Sequence, residues 1–185
     1  MKFNKTRLLP LAALLLPMAA SAHNYTFVEG GYVSRDTGAE DDAGVRIAGS
    51  APIAPNLAII GEYADTGPFE QLSAGVEFHT PMNPILDLTL GATLESIEAG
   101  RADETGLGLR GGLRWQVANT PLELNPGIRY VDVFDESSTS LRMGALFAMT
   151  RELDLQGAIQ GGDDDRVELG VRYNFGRAGS GRYAQ

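Results

Sequence analysis

The chain has no cysteine, and among its 185 residues stand one tryptophan and two histidines. Without thiols there is no disulfide framework, no thiol nucleophile and no Cys-ligated zinc. Lysine is confined to Lys2 and Lys5, so from His23 onward every permanent cation is an arginine. Arginine suits paired, poorly hydrated sites, because its planar fork meets a carboxylate through two bonds at once. Positive charge is scarce overall: the net charge is −9, and loss of Lys2, Lys5 and Arg7 with a leader takes it to −12. So acidic a chain argues against a nucleic-acid partner, which selects basic patches. Long apolar runs are also missing, and no stretch reaches the ~20 apolar residues of a spanning helix.

The leader itself is plain. Residues 1–22 carry three bases, then the apolar run Leu8–Leu16, then Ala20-Ser21-Ala22, the layout of a cleaved secretory signal peptide. Export and a mature start near His23 are expected, leaving roughly 160 residues, enough for one domain. Residues 23–175 are assigned to that domain and 176–185 to a polar C-terminal tail.

From there the dominant signal is a rhythm of two. In Val167–Phe175, Val167, Leu169, Val171, Tyr173 and Phe175 alternate with Glu168, Gly170, Arg172 and Asn174, so one strand face is oily and the other polar. Similar alternation marks residues 25–33, 45–51, 57–64, 71–79, 86–95, 107–117, 122–134, 141–149 and 153–160. Pro126 falls inside one of these segments, where a missing N–H removes a ladder bond and predicts a bulge. A soluble sheet needs further layers to cover its oily face, whereas a membrane barrel turns that face to lipid. The expected fold is therefore all-β, an antiparallel up-and-down transmembrane β-barrel of about ten strands. Eight is the alternative count, because the Pro126 strand and the Gly-rich segments alternate imperfectly.

Connections come in two kinds. Short turns at 52–56, 80–84, 118–121 and 150–152 alternate with acidic segments at 34–42, 65–68, 96–104, 135–138 and 161–166. Short turns are periplasmic and longer loops extracellular in such barrels, which puts both termini in the periplasm. Outward aromatics fall late on their strands: Tyr32, Tyr63 and Tyr130 toward the loops, and Phe78, Trp115, Phe147, Tyr173 and Phe175 toward the turns. Two interfacial belts are expected from that placement. The inward positions carry Glu29, Glu62, Glu77, Asp87, Glu123, Asp154 and Glu168 with Arg46, Arg110, Arg114, Arg129, Arg142 and Arg172. A narrow barrel has room for side chains or one small ligand, and buried charges must pair, so an Arg–carboxylate network filling the lumen is predicted.

The ending Gly170-Val-Arg-Tyr173-Asn-Phe175 resembles the terminal-strand signal of outer-membrane barrels, which implies recognition by the barrel-assembly machinery through Gly170, Tyr173 and Phe175. The opening Phe27-Val28-Glu29-Gly30-Gly31-Tyr32-Val33 resembles that of a xanthomonad-type family of small barrels in the OmpX-like, porin-family superfamily. That resemblance implies a small single-chain barrel in the outer membrane of a Gram-negative bacterium, in contact with its lipid and lipopolysaccharide, with an accessory envelope role.

Chemistry finds little footing. Barrel proteases and lipid A enzymes need a histidine with acidic or serine partners in the outer half, whereas His23 and His79 fall at the turn end. Gly106-Leu-Gly108-Leu-Arg-Gly111 spells a dinucleotide fingerprint, but inside a strand, where small residues facing a crowded lumen are the better account. Asp163-Asp164-Asp165 offers hard oxygens to a divalent cation, though without a ligand loop around it. No cofactor and no catalytic residue are expected. The sequence therefore favours a non-enzymatic envelope or surface role through acidic loops, with a small-solute, porin-like channel as the alternative.

Overall fold

The computed structural model describes residues 23–36, 41–100, 102–133 and 136–176; the expected leader and nearly all of the C-terminal tail lie outside them. Ten strands follow one another: β1 (Phe27–Asp36), β2 (Asp41–Ala54), β3 (Leu57–Asp65), β4 (Phe69–Asn83), β5 (Leu86–Ala99), β6 (Ala102–Gln116), β7 (Leu122–Val133), β8 (Glu136–Ala148), β9 (Leu153–Gly162) and β10 (Asp165–Asn174). Each pairs antiparallel with its sequence neighbours, and β10 returns to β1, so the sheet closes without an edge. Closure leaves the sheet no open edge, the condition for a sheet in hydrocarbon. The count is ten rather than eight.

The alternation produces the two faces directly. Leu94, Leu107, Leu141 and Ile159 are each more than 60 % exposed, and their neighbours in sequence, Glu95, Gly108, Arg142 and Gln160, turn inward. An outer surface this apolar is unfavourable in water and at home in lipid. The outward aromatics Tyr32, Tyr63 and Tyr130 sit in the loop-end halves of their strands, and Phe78, Trp115, Phe147 and Tyr173 near the turns, with Phe175 just beyond β10.

Two expectations fail on geometry. The acidic segments are mostly strand: β5 and β6 stay paired out to Ala99 and Ala102, leaving Gly100 at φ +66° to reverse the chain. Alternation of oily residues stops at the membrane boundary, but backbone pairing has no reason to stop there. Pro126 makes no bulge either. Bridges are absent between Gly112↔Gly127 and Trp115↔Leu124, yet the register on either side is the same. The register shifts instead at Pro52/Ala54 and Pro81/Asn83, beside the short turns.

At the β1–β10 seam, Gly31 and Gly170 face each other across the ladder. A Cβ on Gly31 would lie 2.2 Å from the Leu169 carbonyl oxygen, and one on Gly170 2.4 Å from that of Gly30. Only glycine lets the two backbones bend this tightly around a narrow interior.

Candidate functional site

The inward residues form three storeys. In the central one, Arg46 bridges three strands: Nη1 donates to Glu29 Oε1 at 2.7 Å, Nη2 donates to Glu62 Oε2 at 2.7 Å, and Nε stands 3.7 Å from Glu168 Oε2. Arg172 donates to Glu29 at 2.7 Å and lies 3.7 Å above the Phe27 ring. Arg142 donates to Glu168 at 2.6 Å, and Arg129 to Glu95 at 2.9 Å and Glu62 at 3.3 Å. Each guanidinium is thereby desolvated against at least one carboxylate, the arrangement that lets buried charges persist.

The loop-end storey is built from residues that the sequence reading left in loops or omitted. Arg166 contacts Asp164 and donates to Gln71 at 2.8 Å, while Arg35 pairs with Asp164 at 3.1 Å and stacks 3.4 Å over Phe69. Glu95 accepts from Gln71, Ser73 and Thr93. Ile97, Val131 and Val133 cluster against Phe69 as a small apolar cap. Burial works to raise the Asp164 carboxyl, but the Arg166 and Arg35 guanidiniums outweigh it and hold that group below the usual aspartate range.

The turn-end storey rests on a segment outside the ladder. His23, Asn24 and Tyr25 precede β1 and fold into the barrel mouth, with His23 and Tyr25 buried. His23 Nδ1 lies 3.0 Å from Glu123 Oε2, and Glu123 accepts from Arg114 Nε at 2.8 Å. Arg114 also donates to the Asn24 carbonyl at 2.7 Å. Tyr25 donates to Asp87 at 2.9 Å and stacks on His79 with ring centres 3.6 Å apart. Asp154 accepts from Asn174 at 2.9 Å. Burial pushes the Tyr25 phenol well above its ordinary value. His23 and His79 lie at the turn end, as expected, and there they are buried packing partners of this stopper; residue 25 is not part of the first strand.

Between the end storeys lies a cavity of about 190 Å³ whose wall includes Glu29, Glu62, Glu77, Arg110, Arg129 and Arg172. The structure therefore gathers eleven of the thirteen inward charges named from the sequence into contacts, through the pairs above. It leaves two apart: among the described residues, Arg110 and Glu77 make no hydrogen bond or ion pair. The missed members are Arg35, Glu95, Asp164 and Arg166. For Arg35 and Arg166 the signal was present, since each continues the parity of Glu29 and Glu168 past the oily band.

Of the motif candidates, Gly106 and Gly108 face inward, and a Cβ on Gly108 would meet Glu95 Oε1 at 2.4 Å. Gly111 faces outward, toward Leu90 and Ile128. The aspartate triplet spends its oxygens internally: Asp163 accepts from the Thr139 N–H at 2.8 Å, Asp165 from the Gly162 N–H at 2.8 Å, and Asp164 from Arg166 and Gln160. Among the described residues no group of three or more metal-ligating side chains forms.

No protein-family model matches the chain, and no curated protein matches it in sequence. Solved structures do. A KdgM porin superposes with TM-score 0.54 at 11 % identity, over 80 % of this chain and 99 % of that one. The KdgM porin in complex with disordered oligogalacturonate gives TM-score 0.53 at 11 % identity over the same shares. An outer membrane channel from Pseudomonas putida F1 gives TM-score 0.50 at 9 % identity, over 83 % of this chain and 96 % of the other. At such identities the likeness is one of fold, and the fold is that of porin-type outer-membrane barrels.

Proposed function

We propose that this protein is a narrow, non-enzymatic outer-membrane channel for small polar solutes, with its loop end outward and its turns and termini in the periplasm. One observation carries the reading: a cavity of about 190 Å³ inside the barrel is walled by the lumen charges Glu29, Glu62, Glu77, Arg110, Arg129 and Arg172, and by Arg114, which also holds the Asn24 carbonyl of the segment ahead of β1. A pocket for a drug-sized ligand is about 300–1,000 Å³, so the solute is smaller than that. The porins and channel that share the fold support the same reading, and the KdgM structure binds oligogalacturonate, a chain of acidic sugars.

The envelope-integrity role through acidic loops draws less support, because most of those segments continue as strand and each of Asp163, Asp164 and Asp165 commits an oxygen to a donor of the protein itself. The terminal-strand and opening-strand resemblances fit export through the barrel-assembly machinery into a Gram-negative outer membrane, and belong to the same proposal.

Liposome swelling tests it. Vesicles containing the protein are expected to admit glycine-sized solutes and to exclude trisaccharides. Failure to swell in any solute, for the wild type and for a Tyr25→Ala/Arg166→Ala double variant that trims both end storeys, would overturn the channel.

A further inference from the structure

We infer that the cavity holds a two-point site for a small zwitterion, with Arg110 receiving its carboxylate and Glu77 its ammonium group. The inference rests on the channel reading and names its solute class. Five lumen arginines, Arg46, Arg114, Arg129, Arg142 and Arg172, are each matched by Glu29, Glu62, Glu95, Glu123 or Glu168 at 3.3 Å or less. Arg110 and Glu77 are left over, opposite in charge and both in the cavity wall.

Their separation is built into the ladder. Glu77 on β4 pairs with Gly91 on β5, and Gly91 pairs with Arg110 on β6. Two strand spacings, roughly 10 Å, therefore part their backbones, with a residue that has no side chain between them. A Cβ on Gly91 would stand 2.7 Å from Arg110 Cγ, so the glycine lets the arginine stem lie back across β5 toward the Glu77 side. On its other flank Arg110 pairs in register with Arg129, a like-charge apposition that is unfavourable unless an anionic group answers it. Arg129 is hydrogen-bonded to Glu95 and Glu62; among the described residues Arg110 makes no such bond, and Glu62, Glu77 and Glu95 act on it only through space.

A half-buried cation and a half-buried anion in one cavity wall, neither hydrogen-bonded to another described residue, call for either solvent or a guest of matching charge. A lone carboxylate guest would leave Glu77 unanswered, and a lone amine would leave Arg110 unanswered. A guest bearing both groups a few bonds apart, such as an α-amino acid with a small side chain, answers both within the available volume.

The test uses the full-length protein in detergent micelles with ¹⁵N-labelled arginine, titrated with glycine, acetate or methylammonium while the Nε–H resonances are followed. The resonance that disappears in Arg110→Gln is expected to shift saturably with glycine, and far less with either half-molecule. Arg110→Gln and Glu77→Gln, with folding checked by migration on an unboiled gel, should each weaken glycine binding about tenfold or more, the scale of one charge-assisted hydrogen bond. Equal shifts with acetate and glycine, or no saturable shift at all, would overturn the site even if vesicles containing the protein admit glycine. A saturable glycine shift in a protein that leaves vesicles impermeable would instead sink the channel and keep the site.

Discussion

The two ends of the lumen are closed by different means. At the loop end, Arg35, Gln71, Glu95 and Arg166 all hang from strands, and only Asp164 belongs to a turn. At the turn end, His23–Tyr25 is not laddered and is held by side-chain contacts to Glu123, Asp87, Arg114 and His79. Strand-borne residues cannot leave without opening the barrel, whereas a tethered segment can withdraw with all ten strands intact. Local opening of this kind breaks the side-chain contacts of three residues and no ladder bond, and so lies below global unfolding in free energy. The turn end is thus the closure that can be undone without breaking the ladder, and the loop end the one built on the ladder itself.

The largest expected effect comes from attacking the fixed end. Arg166→Ala removes a donor from both Asp164 and Gln71 and leaves Asp164 with Arg35 and Gln160 alone, at about 3–5 kcal/mol of unfolding free energy, as for other broken buried pairs. Tyr25→Ala deletes one hydrogen bond to a carboxylate, one ring stack and the seat of the Arg114 guanidinium 4.6 Å over the ring, at about 3 kcal/mol. Urea titration in micelles ranks the two. The contrast between the ends collapses if Tyr25→Ala proves as destabilising as Arg166→Ala.

A conductance measurement sharpens the same contrast. In the proposed channel the end storeys act in series, so Tyr25→Ala is expected to raise solute flux only as far as the loop end permits, and the double variant to exceed the sum of the singles. Additive fluxes would mean that the ends lie on separate routes.

Most of the fold was written in the chain, because a strand's two faces are set by parity alone: Val167, Leu169 and Val171 could be placed outward, and Glu168 and Arg172 inward, without coordinates. What parity does not encode is where pairing ends. Residues 96–104 lose their oily alternation at the water boundary, and nothing in their side chains shows that β5 and β6 continue to Ala99 and Ala102. Arg35 and Arg166 were overlooked for that reason. The inward fold of Tyr25 was hidden differently, since its partners Asp87 and His79 are distant in sequence and the stack is a tertiary event. Parity places Arg110 and Glu77 on the inside as surely as Arg46, but it carries no information on which inward charges come within reach of each other.

The smallest effect separates the ends by pH. Asp164 is held below its ordinary value of about 3.9 in the folded barrel. Its contribution is therefore complete above that ordinary value and drains away as pH falls through the lowered one. Tyr25 is shifted the other way, above its ordinary value of about 10, so its contribution is complete below about 10 and is lost as pH rises further. Acid should loosen the loop end and alkali the turn end. Unfolding free energies measured across both limbs are expected to show Asp164→Asn flattening part of the acid limb alone. Tyr25→Phe, which keeps the ring on His79 and removes the hydroxyl, should flatten part of the alkaline limb alone. The acid effect is the weaker, because many lumen carboxylates share that limb, while Tyr25 is the one tyrosine that folds into the turn-end mouth ahead of β1. If Tyr25→Phe left the alkaline limb unchanged, the hydroxyl–Asp87 bond would not be what holds the segment, and the grip would have to come from the Arg114 and Glu123 contacts of Asn24 and His23.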